Sequence, residues 1–218
     1  MIPPRHRQVA GLFYGALSRP EVDSMTEFNQ AYYRRYYRDP VTRVAGAEEA
    51  DKSAALALAF AGRHGLTIRR VVDLGCGLGH WRKALEARVK RLRYDGVEWS
   101  EYLCRRYGWI HSSAAEYRSD KSYDLAVCQS VLQYLDDKAA TKAMANLGRL
   151  THGLLYFEVL TLEDWRFRVD RKKTDGAVHL RPTAWYRQKL SSRFIPLGGG
   201  FFAHKRARLT LYTLEEMA

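Results

Sequence analysis

Three cysteines in 218 residues, with no C-x-x-C pair among Cys76, Cys104 and Cys128, leave no disulfide framework and no cysteine zinc site. Such sparse, unpaired cysteine favours a reducing, cytoplasmic compartment. The seven histidines fall into no H-x-x-x-H or mixed Cys/His spacing, so no metal centre is expected. No apolar run approaches the ~20 residues of a membrane-spanning helix, and no membrane partner is expected. Repeats, low-complexity tracts and Pro/Gly/Ser-rich linkers are missing too, which fits one domain with at most a modest extension. Acidic residues are in short supply: 24 Asp and Glu against 36 Lys and Arg give a net charge of +12. That excess admits nucleic acid, anionic membrane surfaces or acidic small substrates as partners. It fits a merely solvated basic surface equally well, because the cations run along the whole chain.

A content of 46 % hydrophobic and 12 % aromatic residues is ample for a core without staples. Near the start, Arg5 and Arg7 precede the apolar stretch Val9 to Leu17 in imitation of a secretion signal. No A-x-A-like cleavage site follows, so the stretch is expected to pack on the domain. Glu27 to Arg38 reads as a helix ended by Pro40, with Tyr32 and Tyr36, and Tyr33 and Tyr37, stacked at i, i+4. Residues 1–45 are accordingly expected to form an N-terminal helical extension or lid on a core of residues 46–218. From Ala47 onward helices and strands alternate. The strands are expected at 70–74, 92–97, 110–111, 123–128 and 154–160, with the last two at 193–197 and 209–214. Helices are expected at 47–64, 81–89, 100–107, 139–150 and 183–190, and 161–181 reads as an irregular charged segment. This is the pattern of an α/β fold: a doubly wound, mostly parallel, seven-stranded sheet with helices on both faces and ligand at the strands' carboxyl ends.

The informative stretch is Val71-Val72-Asp73-Leu74-Gly75-Cys76-Gly77-Leu78-Gly79-His80, a buried strand running into alternating glycines. Glycine at every second position lets a ligand or another backbone come close to the main chain. The dinucleotide fingerprint requires a sixth-position glycine, where His80 stands, and Asp73 at the strand end would repel a pyrophosphate. A ligand with a cationic group and no phosphates fits better. Read as D-x-G-x-G-x-G, the segment resembles motif I of the class I S-adenosylmethionine-dependent methyltransferases. The resemblance implies that Gly75, Cys76, Gly77 and Gly79 lie along the methionine part of the cofactor and that Asp73 helps bind its amino group. Glu98 stands 21 positions after Gly77, near the spacing of a carboxylate that takes two ribose hydroxyls. The resemblance gives Glu98 that role too and sets Trp99 against the adenine. Ser113-Ala114 occupies the place of an adenine-binding acid and alanine, with serine as the shorter, uncharged substitute. Asp124 to Leu135 is similar to the family's motif IV region, with Gln129 emerging beside the cofactor.

Missing motifs narrow the acceptor. There is no Asn/Asp-Pro-Pro-aromatic sequence after the fourth strand, as amine methylation of bases often uses, and Gln129 and Ser130 replace the metal-binding carboxylates of catechol enzymes. The expected activity is methyl transfer from S-adenosylmethionine to a small-molecule acceptor, leaving S-adenosylhomocysteine. Tyr33, Tyr37 and Trp165 are the candidate acceptor contacts, with Glu158 or His179 as an optional general base. Arg166, Arg168, Arg171, Lys172, Lys173 and Arg181 read either as a hold on an acidic substrate or as a solvated loop. RNA or protein methylation, and a cofactor-binding module without turnover, stay open beside this reading, in which the charge admits nucleic acid as a partner without favouring it.

Overall fold

A computed structural model describes residues 28–34, 46–171 and 174–210 of the protein. In the middle of its five parallel strands lies β1 (Arg70–Leu74), whose Val71, Val72 and Leu74 are completely buried. A strand that is apolar on both faces needs a packed layer on each side. It pairs in parallel with β2 (Arg93–Glu98) on one flank and β4 (Tyr123–Gln129) on the other. Beyond β2 lies β3 (Ile110–His111), and beyond β4 lies β5 (Thr151–Glu158), both also parallel. An antiparallel hairpin, β6 (Phe194–Gly198) and β7 (Phe201–His204), completes the order β3-β2-β1-β4-β5-β7-β6. Strand order reverses between β1 and β4, so a crevice opens at their carboxyl ends.

Helices α2 (Ala47–Arg63) and α3 (His80–Glu86) cover one face, burying Ala50, Ala54, Ala57, Ala61, Trp81 and Leu85 on Val71, Leu125 and Leu154. The alanine stripe lets α2 lie close to the sheet, and Leu56 on its outer side is 52 % exposed. On the opposite face, α5 (Asp137–Leu150) and α7 (Thr183–Leu190) pack Met144, Leu147, Leu150, Tyr186 and Leu190 on Val72, Leu74 and Leu155. Helix α4 (Glu101–Tyr107) flanks β2 and β3, started by the Ser100 side chain as N-cap.

The elements follow the sequence reading to within a few residues, with three differences. First, residues 161–181 are not simply irregular: Thr161 and Asp164 form a reciprocal capping box that starts α6 (Leu162–Phe167). Second, the strand that completes the described sheet is 201–204, and the described part of the strand expected at 209–214 is not in it. Gly198, Gly199 and Gly200 take φ of 94°, 58° and 83°, a left-handed turn that sends the chain straight back beside β6. Residues 209 and 210 belong to no strand, and 211–214 lie outside the described residues. Third, of the aromatic helix expected at 27–38, the described part contains α1 (Gln30–Tyr33), capped by Asn29. The stretch 9–17, Tyr36, Tyr37, Lys172 and Lys173 also lie outside the described residues.

Arg181 is neither solvated nor free to take a substrate: it is 5 % exposed. Its guanidinium donates to the carbonyls of Leu132, Leu135 and His179, to the Tyr186 hydroxyl and to Asp137 at 2.7 Å. One side chain thus ties the 3₁₀ turn Leu132–Tyr134 after β4 to the segment between α6 and α7. Arg181→Ala strands several buried carbonyls and should cost about 3 kcal/mol or more, read as a lowered urea midpoint. Arg181→Lys, with no planar fork, should recover only part of the loss.

Candidate active site

The β1–α3 turn is held by backbone and by one carboxylate. Gly75 N–H and Cys76 N–H both donate to the Val97 carbonyl, at 2.7 and 3.1 Å, and Gly77 N–H donates to Glu98 Oε2 at 2.9 Å. From the other side the Trp109 indole N–H donates to the Gly77 carbonyl at 2.9 Å. All three glycines are left-handed, with φ of 81°, 51° and 73°, but they are glycine for different reasons. A Cβ on Gly75 would come 2.2 Å from Val131 Cγ2, and one on Gly79 would come 2.7 Å from Trp109. A Cβ on Gly77 would meet nothing within 4 Å. Only the middle glycine opens onto free space.

That space is a cleft of about 690 Å³ at the carboxyl ends of β1, β2 and β4. Of the residues expected at a cofactor, Gly75, Gly77, Glu98, Trp99, Ser113, Ala114 and Gln129 line it. Asp73, Cys76 and Gly79 do not. Asp73 is 2 % exposed and accepts the Tyr94 hydroxyl behind the turn, because a carboxylate on a fully covered strand must find its partner within the core. Cys76 is buried toward Gly96, with burial pushing its thiol pKa up, and Gly79 faces Trp109. Tyr33, an expected acceptor contact, and His179, an expected general base, line the cleft. Trp165 packs instead on Gly176 and Arg171, and Glu158 stands just outside.

Glu98 is 6 % exposed, and its carboxylate accepts from Gly77, Trp99 and Ser100 N–H, each at 2.9 Å. A carboxylate offers about four lone-pair positions, so roughly one remains for a ligand and not the two expected from sequence. Trp99 is 51 % exposed beside it. At the end of β4, the Gln129 amide is clamped on both sides: Trp81 Nε1–H donates to its Oε1 at 2.9 Å, and its Nε2 donates to Glu158 Oε2 at 3.1 Å. The Tyr156 hydroxyl donates to the same Glu158 oxygen at 2.8 Å. Ser130 follows in the left-handed region, φ 56°, with its N–H on the Glu158 carbonyl, so the chain bends sharply away from the sheet there.

Several lining residues were not singled out from sequence. Phe28, Tyr32 and Tyr134 form an edge-to-face group, with Tyr32 and Tyr134 hydroxyls 2.8 Å apart, and Ser100 Oγ donates to the Phe28 carbonyl at 2.5 Å. The segment before α1 is thereby pinned across the cleft's edge. Tyr32 was visible as part of an aromatic stripe; that Tyr134 meets it depends on a contact between residues 102 apart, which no local pattern reveals. Among the described residues no group of three or more His, Cys, Asp or Glu gathers as a metal-ligand set, and no helix is long and apolar enough to cross a membrane.

Burial, opposed by the Tyr94 hydrogen bond and reinforced by the Glu98 charge, pushes Asp73 up to about 7 from an ordinary 3.8. With the folded pKa above the unfolded one, the folded state holds the proton more tightly, so this residue's contribution falls as pH rises from about 4 to about 7. In urea unfolding, Asp73→Asn should therefore lose less stability than wild type over that interval. Parallel curves would show that Asp73 titrates normally.

A family profile described as "Methyltransferase domain" matches residues 29–214. No curated protein sequence matched. Among solved structures, the N-methyltransferase NodS from Bradyrhizobium japonicum WM9, in complex with S-adenosyl-L-homocysteine, is 15 % identical. The match covers 72 % of this chain and 87 % of NodS, with a TM-score of 0.53. The PH0226 protein from Pyrococcus horikoshii OT3 is 13 % identical over 81 % of this chain and 97 % of its own, with a TM-score of 0.60. The plantazolicin methyltransferase BpumL, also in complex with S-adenosylhomocysteine, is 12 % identical over 67 % of this chain and 63 % of its own, with a TM-score of 0.55. With a profile spanning most of its length and a seven-stranded sheet to match, the chain belongs to the methyltransferase-domain family and has the class I, Rossmann-like fold.

Proposed function

We propose that the protein transfers a methyl group from S-adenosylmethionine to a small-molecule acceptor. The observation that carries this is the convergence of Gly77, Glu98, Trp99, Ser113 and Gln129, from four separate connections, on one cleft. The residues fit such a cofactor: the space in front of Gly77 is open, Glu98 keeps an acceptor position for a hydroxyl, and Trp99 offers an exposed indole for a flat ring. When bound, S-adenosylmethionine supplies an activated methyl on a sulfonium. The protein's share is then position and exclusion of water, and effective molarities of ~10⁵ to 10⁸ M can account for most of the acceleration.

Enclosure supports a small acceptor. Phe28, Tyr32, Tyr33 and Tyr134 wall the cleft, and residues 1–45 act as a lid on the catalytic core of 46–218. His179 lines the cleft and serves as proton acceptor for an attacking hydroxyl, amine or thiol; Glu158, held by Gln129 and Tyr156, is the second candidate. Asp73 acts from behind the turn, and Trp109 holds the turn's other side. Cys76, Cys104 and Cys128 are free thiols, which suits a cytoplasmic enzyme.

Calorimetry with S-adenosylhomocysteine should show binding to wild type. Gly77→Ala puts a methyl into the open space and should fold with only the ~1 kcal/mol left-handed penalty, yet bind at least about tenfold more weakly. Gly75→Ala, which collides with Val131, should mainly lower the melting temperature. Absence of binding to wild type at millimolar ligand, or undiminished binding to Gly77→Ala, would falsify the proposal.

A further inference from the structure

Opposite the cleft, at the strands' amino ends, the fold collects a row of cations that the proposed transfer chemistry does not use. Arg69 and Arg70 enter β1; Lys90, Arg91 and Arg93 enter β2; Lys121 precedes β4. Because β7 runs antiparallel to β5, its far end points the same way and adds Lys205 and Arg206, followed by Arg208. Arg193 enters β6, its carbonyl accepting from Lys205 N–H at 2.8 Å. These positions are neighbours across the sheet: Arg70 pairs with Arg93, and Phe194 with His204. Strand spacing of about 4.8 Å spreads the row from β2 to β6 over roughly 24 Å.

The row is poorly neutralised. Among the described residues only Lys121 in it forms an ion pair, with Asp95 at 3.7 Å. Of the acids at this end, Asp95 also takes the Tyr123 hydroxyl, and Asp124 is occupied by Arg69 and Arg70 N–H at 2.7 and 2.8 Å. Among the described residues Asp120 is the third. All the cations except the half-buried Arg70 are exposed. Like charges at such spacing repel one another unless solvent ions or a polyanion lie between them.

We propose that this end of the sheet binds the phosphate backbone of a nucleic acid. Arginine dominates the row, and its planar fork matches phosphate oxygens bidentately. An anionic membrane fits less well, because among the described residues the exposed large apolar side chains, Leu56, Trp99, Ile110 and Phe167, belong to other parts of the fold and give this end no anchor. Lying opposite the cleft, the surface tethers the protein to the polyanion and does not present an acceptor to the methyl-transfer site.

Fluorescence anisotropy with labelled RNA and with duplex DNA, each about 20 residues long, tests this between about 50 and 200 mM salt. Wild type should bind, with affinity falling steeply as salt rises. Arg69→Ala/Arg91→Ala/Arg93→Ala should bind at least about tenfold more weakly, with a salt slope smaller by roughly two or three. Lys52→Ala/Lys83→Ala/Arg105→Ala removes the same charge elsewhere and should change little; circular dichroism of both triples checks folding. Equal losses in the two triples, no binding of either nucleic acid, or binding only to phosphatidylglycerol vesicles would each overturn the assignment. None of these outcomes bears on cofactor binding in the cleft, so the two proposals stand or fall separately.

Discussion

A carboxylate taken out of water must be given donors, and Glu98 is given three from its own surroundings. Those three N–H groups belong to two different connections, the glycine turn after β1 and the start of α4 after β2. One side chain therefore fixes the relative position of the two loops that bring Gly75, Gly77, Glu98 and Trp99 to the cleft. Ser100, whose N–H is one of the donors, also starts α4 and reaches the Phe28 carbonyl with its hydroxyl. The segment before α1, the Glu98 carboxylate and the glycine turn are consequently parts of one hydrogen-bonded junction. Few elements could shift here without breaking a buried bond.

The second support is aromatic. Trp109 fills the gap left by the missing side chains of Gly79 and Gly96 and holds the Gly77 carbonyl, while Trp81 orients Gln129 from beneath. Two indoles thus use both of their chemical faces, a large apolar body for packing and one N–H for direction. Neither tryptophan lines the cleft. They act on it through the backbone carbonyl and the amide they hold.

Much of this was legible in the sequence where the signal was local. Val71-Val72-Asp73-Leu74 followed by alternating glycines can form little other than a buried strand and an open turn, and the position of Glu98 follows from the length of one strand-helix-strand unit. What failed to show depended on contacts distant in sequence. Arg181 reads as part of a charged loop until Leu132, Leu135, His179 and Asp137 deliver three carbonyls and a carboxylate around it. Asp73 reads as a ligand contact until Tyr94, on the neighbouring strand, claims its carboxylate. The strand at 201–204 does not show in the sequence because FFAH is too short to carry a period, while the glycine triplet before it holds the decisive turn signal.

The three glycines of the turn differ in what could repair their loss. A side chain at position 75 presses on Val131, which a smaller residue there would relieve, and one at position 79 presses on Trp109, which trimming that ring would relieve at the expense of the Gly77 hold. At position 77 no neighbouring protein atom is in the way, so no second-site change has anything to yield. In evolutionary terms the outer two positions are negotiable through their neighbours, whereas the middle one answers only to whatever molecule the cleft admits.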